Sequence, residues 1–92
     1  MSRKIEYEGS FSAGSITYVE GDLRIQFDHE MGGGNCMFYV MISDEEKWEV
    51  ETKTLLNKRN DILQFIAETL KREQAPSSKF EIISNQIAFY YF

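Results

Sequence analysis

The residues best suited to chemistry lie close together, between positions 28 and 36. His29, the only histidine, is flanked by Asp28 and Glu30, and imidazole with carboxylates is a donor set that metal ions accept. On a strand, successive side chains point to opposite faces, so the two acids would share one face and His29 would lie on the other. A metal site needs three or four ligands that converge from one side. We therefore predict no metal site here.

Cys36 is the single cysteine and follows His29 by seven residues. A thiol–imidazole pair could form there if the two segments make a hairpin. Nucleophilic catalysis also needs a group that orients the base and a site for the oxyanion, and no motif supplies either. Free cysteine is among the most buried residue types, so Cys36 is predicted to be a small buried hydrophobe. We expect no catalytic residue, no cofactor and no enzyme activity.

Three consecutive glycines, Gly32, Gly33 and Gly34, separate the histidine from the cysteine. Phosphate-binding loops place glycines at defined spacings and then open a helix, whereas an apolar strand follows here. Glycine has high backbone entropy. The run therefore predicts a flexible loop that can close over a partner, not a phosphate site.

Aromatic and methionine side chains are the other functional candidates. Residues 36–42 are apolar at every position, as in a strand that is covered on both faces or has one face against a partner. Methionine adapts to irregular binding surfaces, and exposed apolar patches usually mark interaction sites. We predict an interaction surface on the sheet face that the helix leaves uncovered. Its residues are Met37, Tyr39, Met41, Tyr90 and Phe92.

The N-terminal segment offers an alternative cover for that face. Residues 1–12 are predicted to form an edge strand or a loosely ordered arm, in which Ile5, Tyr7 and Phe11 alternate with polar residues. These side chains could lie over the uncovered face as a small second core. The methionines could equally fill gaps in the main core.

One amphipathic helix must hold these residues in place. Within residues 54–75 a stripe recurs at steps of three and four residues, which places it on one side of a helix. A lone helix can bury such a stripe only against a sheet, and Pro76 marks the end of the helix. The stripe consists of Leu55, Arg59, Ile62, Leu63, Ile66, Ala67 and Leu70.

A hairpin is predicted before the glycine run. Gly21-Asp22 fits a two-residue turn with glycine first. This turn pairs Tyr18 with Ile25, whereas a shift of the turn by one residue pairs Tyr18 with Leu23. Both registers place the same apolar side chains on one face.

The remaining apolar runs are shorter. Trp48 and Val50 alternate with glutamates, which predicts a further short strand, and the chain ends in a second hairpin with its turn within residues 84–86. Strands joined by short turns pair antiparallel. The fold class is therefore α+β, with residues 1–92 as a single domain. We expect an antiparallel sheet in the order β-β-β-β-α-β-β and the 55–74 helix packed on one face.

Four strands followed by a helix is an order similar to that of whirly-type single-strand-binding modules, a likeness of fold class that does not imply function. The net charge is −5, with the excess of acids in the first half of the chain. Nucleic-acid affinity comes mainly from Lys and Arg, so we predict no nucleic-acid partner. Single-strand binding by stacking on Tyr39 or Tyr90 is the least favoured function.

Targeting signals are equally sparse. No segment has the roughly 18 consecutive apolar residues of a membrane span, the N-terminus lacks the apolar run of a signal peptide, and one cysteine cannot form an internal disulfide. We expect a cytoplasmic protein without a membrane partner. The sequence favours a small non-enzymatic interaction module that binds itself, as a homodimer, or another protein. The alternative is a small-molecule or peptide binder, with a site between helix and sheet or under the Gly32–Gly34 loop.

Overall fold

The computed structural model describes residues 2–10 and 13–92. Within them six strands form one antiparallel sheet in the order β1-β2-β3-β4-β6-β5, which confirms the α+β class. The strands are β1 (Arg3–Gly9), β2 (Ala13–Glu20), β3 (Leu23–Met31), β4 (Cys36–Met41), β5 (Ser78–Ile83) and β6 (Gln86–Tyr91). Two helices, α1 (Trp48–Thr52) and α2 (Arg59–Gln74), lie between β4 and β5 in the chain, and a 3-10 turn at Leu56–Lys58 precedes α2.

Helix α2 packs on one face of the sheet, as predicted. Every member of the predicted stripe from Arg59 to Leu70 is buried. The exception is Leu55, which is 60% exposed. It precedes α2 and has an extended backbone, so it is not part of the helix whose periodicity buries the other residues of the stripe.

The sheet curves around α2. Five strand spacings of about 4.8 Å would place the edge strands of a flat sheet about 24 Å apart, roughly twice the diameter of a helix. Yet α2 contacts both edges. On β1, Tyr7 donates a hydrogen bond to Glu73 (2.5 Å). On β5, the carbonyl oxygen of Ser78 accepts a hydrogen bond from the Lys71 ammonium. Both edges can reach one helix only because the sheet is strongly curved.

The described part of the N-terminal segment does not cover the sheet face opposite α2. Arg3–Gly9 form the edge strand β1, and Ile5 is buried in the core that faces α2. The alternative in which Ile5 and Tyr7 lie over the uncovered face is therefore wrong, because both side chains point to the helix side. Phe11, the third member of that set, lies outside the described residues, as do Met1 and Ser12.

The strand pairing identifies the turn residues of both hairpins. Gly21 has a φ of 61°, and Tyr18 pairs with Ile25, so the turn is Gly21-Asp22 and the shifted register is excluded. In the C-terminal hairpin Ile83 pairs with Gln86, which makes the turn Ser84-Asn85.

The predicted strand at Trp48 and Val50 is instead the helix α1. Trp48 is fully buried and Val50 is 81% exposed, so the two residues do not share a face as they would on a strand. Trp48 shares its face with Thr52, four residues on, which is buried and donates a hydrogen bond to the Trp48 carbonyl (2.6 Å). Lys53 ends the helix in the left-handed conformation, with φ 57°.

Helix α1 fills a gap in the sheet. β3 pairs with β4 only over its last three residues, His29–Met31, so the earlier part of β3 has no β4 neighbour. There the Trp48 ring stacks on Phe27, with centroids 6.3 Å apart, and its indole N–H donates to the Leu55 carbonyl (3.2 Å).

Arg59 joins this region to the C-terminal hairpin. Its guanidinium donates hydrogen bonds to the carbonyl oxygens of Ser43 (2.9 Å) and Ser84 (3.0 Å) and lies over the Trp48 ring at 5.8 Å. A buried cation needs such partners, which explains why an arginine occupies a position of the otherwise apolar stripe.

The contrast between Trp48 and Val50 is testable. Trp48→Ala should lower the free energy of unfolding by about 3–5 kcal/mol, because it removes a large ring from the core. The matched control Val50→Ala, on the same helix, should change it by less than about 0.5 kcal/mol, as is usual for exposed sites. Urea unfolding followed by circular dichroism measures both. Similar losses at the two positions would contradict the helical assignment.

Candidate interaction surface

The sheet face that α2 does not cover, here called the outer face, has two halves of different character. Over β1, β2 and β3 it is polar, and part of its charge is satisfied within the chain. Glu6 lies 2.5 Å from the Arg24 guanidinium and 3.2 Å from the Lys4 ammonium. Each pairing of this kind reduces what the polar half offers to a charged partner.

The other half, over β4, β6 and β5, carries apolar and aromatic side chains. Tyr39 and Met41 alternate with the buried Phe38 and Val40, so they lie on the outer face. By the same alternation Tyr90, next to the buried Phe89, joins them. Three of the five predicted surface residues therefore lie on one part of the sheet.

Ile83 belongs to the same surface, although the sequence reasoning missed it. It is 40% exposed, close to the 38% of Met41, and the two residues pair with opposite sides of Gln86. Its signal was present in the sequence, because an inward-facing Ile82 requires an outward-facing Ile83. Tyr39, Met41, Ile83 and Tyr90 are called the outer patch below.

Met37 and Phe92 lie elsewhere. The pairing of β4 with β6 shifts register between Cys36 and Phe38, and such a bulge breaks the alternation of side chains. Met37 is accordingly packed against the core. Phe92 follows the last strand, and its ring lies 5.3 Å from the Lys71 ammonium of α2, so it is on the helix side.

Tyr39 is held in place by a carboxylate on the neighbouring strand. Its hydroxyl donates a hydrogen bond to Glu30 (2.7 Å), which pairs with it across β3 and β4. This bond favours the neutral phenol, and it raises the pKa of Tyr39 above its ordinary value. The ring is therefore oriented on the outer face before any partner arrives.

The glycine run forms a tight hairpin turn. The Cys36 N–H donates to the Gly33 carbonyl (3.0 Å) and the Gly32 N–H donates to the Met37 carbonyl (3.1 Å). Gly34 has a φ of 61°, a conformation that glycine adopts without strain. A Cβ on Gly32 would lie 2.5 Å from the Cys36 carbonyl oxygen. Flexibility of this loop stays a prediction, but the turn itself accounts for glycine at positions 32 and 34.

The candidate metal-ligating residues do not converge. His29 pairs with Val40 on the helix side, with its ring 6.5 Å from the Phe38 ring. Its neighbours Asp28 and Glu30 are exposed on the outer face. The Cys36 thiol is 3.5 Å from the Phe38 carbonyl oxygen. Within residues 2–10 and 13–92, no three His, Cys, Asp or Glu side chains are grouped to hold a metal ion.

A cleft of about 190 Å³ lies between α2 and the sheet. Apolar side chains of β2, β4 and α2 form its floor, and Tyr7, His29 and Gln74 stand at its rim. Burial and the hydrogen bond to Glu73 raise the pKa of the Tyr7 hydroxyl well above its ordinary value, so Tyr7 is a neutral hydrogen-bonding group at neutral pH.

No protein-family model matches the sequence, and the searches of curated proteins and of solved structures likewise find no match. Neither helix of the described residues is long and apolar enough to cross a bilayer.

The bond between Glu30 and Tyr39 predicts a change in titration. In Glu30→Gln the pKa of the Tyr39 phenol should fall towards its ordinary value near 10, because the negative acceptor is gone. NMR titration of ring-labelled tyrosine, assigned with Tyr39→Phe, measures the midpoint. Glu81→Gln, a second outer-face variant, is the control and should leave the midpoint unchanged. An unaltered midpoint in Glu30→Gln would show that the bond is not formed in solution.

Proposed function

We propose that this protein is a non-enzymatic interaction module that binds a protein partner through the outer patch. The observation that carries the proposal is the division of the outer face. Its polar half satisfies part of its charge internally, while its other half presents Tyr39, Met41, Ile83 and Tyr90 on three adjacent strands. Apolar groups gathered on one uncovered face usually mark an interaction site.

The residue types suit a protein partner. Tyrosine and methionine are enriched in protein interfaces, and tyrosine adds a hydrogen-bonding hydroxyl to a large apolar ring. The hydrogen bond to Glu30 already orients Tyr39, so less side-chain entropy is lost when a partner binds.

Charge on the outer face disfavours nucleic acid. Alternation and pairing place five carboxylates and three cations there among the described residues. A polyphosphate backbone requires the opposite balance. The charged residues of this face are Lys4, Glu6, Glu8, Arg24, Asp28, Glu30, Lys79 and Glu81.

Two substitutions test the outer patch. Tyr39→Glu and Tyr90→Glu should each weaken association by tenfold or more, because a carboxylate in the centre of an interface remains unpaired. If the partner is a second copy, light scattering detects the lower mass. If it is another protein, cross-linking identifies the complex that the variants lose.

Leu55→Glu is the matched control, because Leu55 is an exposed apolar residue outside the outer patch. It should associate like the wild type. Association that survives both Tyr39→Glu and Tyr90→Glu would contradict binding through the outer patch, provided that circular dichroism shows the variants folded.

The cleft between α2 and the sheet supports a second candidate, a small-molecule binder. Its apolar floor and polar rim are typical of ligand sites, but about 190 Å³ is below the roughly 300–1,000 Å³ of most ligand pockets. Only a ligand of a few heavy atoms would fit, and for this reason the interaction module is preferred.

Thermal-shift screening distinguishes the second candidate. Small apolar fragments with one polar group should raise the melting temperature of the wild type, since a ligand that binds only the folded state stabilises it. The shift should shrink in His29→Gln, which alters the rim. A screen without any shift that depends on His29 would remove this candidate.

A further inference from the structure

The free edge of β5 is a second surface that could bind a partner, separate from the outer patch. β5 ends the sheet, with β6 as its neighbour. Just before β6 the Asn85 carbonyl accepts from the Ile42 N–H, and at the end of β6 the Tyr91 N–H donates to the Asn35 carbonyl. Ile42 and Asn35 flank β4, so the backbone groups of odd-numbered residues of β6 point to β4. Because these groups alternate along a strand, those of Gln86, Ala88 and Tyr90 point to β5.

The register then settles which groups of β5 are free. Lys79, Glu81 and Ile83 pair with those three residues, so their backbone groups bond to β6. The backbone groups of Ser78, Phe80 and Ile82 point away from the sheet.

Ser78 is satisfied within the chain. Its N–H donates to the Ala75 carbonyl (3.0 Å) and its carbonyl accepts from Lys71. No described residue bonds to the outward groups of Phe80 and Ile82. The edge is therefore open over this short stretch, which an added strand can extend.

The side chains of this stretch carry a self-complementary charge pattern. Lys79 and Glu81 are exposed on the outer face, on either side of Phe80. No described residue forms a hydrogen bond or an ion pair with the side chain of either one. Phe80 is half-buried on the helix side, beside Arg72 of α2.

We propose that β5 pairs antiparallel with β5 of a second copy, about a two-fold axis at Phe80. Lys79 of each copy then lies opposite Glu81 of the other, so two cross-strand ion pairs form on the outer face. The outward N–H and carbonyl of Phe80 bond to those of Phe80 in the second copy, and the two rings meet on the helix side. This goes beyond the proposed function, because it concerns the edge of β5 and commits to one partner.

Charge selects this register over its neighbours. Backbone groups that point away from one sheet must bond to those that point away from the other. The two-fold axis can therefore pass through a residue but not between two residues. An axis at Glu81 would bring two carboxylates together, and one at Lys79 would bring two ammonium groups together; like charges directly opposite are unfavourable. An axis at Ile82 would leave Lys79 and Glu81 without opposite charges.

The other edge strand lacks this feature. β1 has Lys4 and Glu6 at the same spacing, but these two residues form an ion pair with each other at 3.2 Å, and Glu6 also binds Arg24. Pairing of β1 with a second copy would gain little charge complementarity. Of the two edges, β5 is therefore the one whose Lys–Glu pair has no side-chain partner among the described residues.

Charge reversal tests the register by light scattering at several protein concentrations. The wild type should be a dimer. Lys79→Glu alone and Glu81→Lys alone should each raise the dissociation constant by about tenfold or more, because both place like charges opposite each other twice. The double variant Lys79→Glu/Glu81→Lys should restore the dimer. Glu8→Lys, on β1, is the matched control and should stay dimeric.

Mixing the two single variants is the most direct test of the charge pairing between copies. Lys79→Glu presents two carboxylates and Glu81→Lys presents two ammonium groups, so an equimolar mixture should form a heterodimer as stable as the wild-type dimer. Neither Lys79 nor Glu81 has a side-chain partner among the described residues, so circular dichroism should show both variants folded. A wild type that is monomeric throughout would overturn the proposal and would show that Lys79 only protects the edge from pairing. A mixture that stays monomeric would overturn it as well.

The same measurements keep the two proposals apart. A dimer that Tyr39→Glu dissociates while Lys79→Glu leaves it intact assembles through the outer patch, and the β5 pairing is then wrong. A dimer that Lys79→Glu dissociates and Tyr39→Glu leaves intact supports pairing through β5. The outer patch is then free to bind a different protein.

Discussion

The enclosure of one helix by one curved sheet is the constraint on which the other features depend. α2 offers a single apolar stripe, and its burial is the main favourable term available to a domain of 92 residues. Exposed polar contacts contribute little stability. The polar contacts at the edges, from Tyr7 to Glu73 and from Lys71 to Ser78, position the edge strands around a helix that hydrophobic burial already holds.

Curvature also divides the rest of the surface. The concave side is occupied by α2, so the parts of the sheet that a protein partner can reach are the convex outer face and the edges. The outer patch and the free part of β5 are adjacent, since Ile83 belongs to both the patch and the edge strand. A second copy paired at β5 would thus place two outer patches on one continuous face, twice the area for a further partner.

Local patterns predicted those parts of the fold that local physics decides. The helical stripe and the Gly21 turn follow from periodicity and backbone conformation, and both are confirmed. The strand predicted at Trp48 was wrong, because four alternating residues fit a strand as well as one helical turn. The helix is favoured by a tertiary contact: β3 has no β4 neighbour beside Phe27, and the Trp48 ring packs there. The bulge that turns Met37 inward likewise depends on a distant strand.

The same limit applies to the candidate sites. The sequence gives Lys4 and Glu6 the same spacing as Lys79 and Glu81, so nothing local distinguishes the two edges. The fold distinguishes them, because the β2–β3 hairpin brings Arg24 to Glu6, whereas the neighbours of Lys79 and Glu81 on β6 are Tyr90 and Ala88, which offer neither a carboxylate nor an ammonium or guanidinium group. Identical charge patterns are thus internally satisfied at one edge and available at the other. What a charged edge can bind is set by the strand beside it as much as by its own residues.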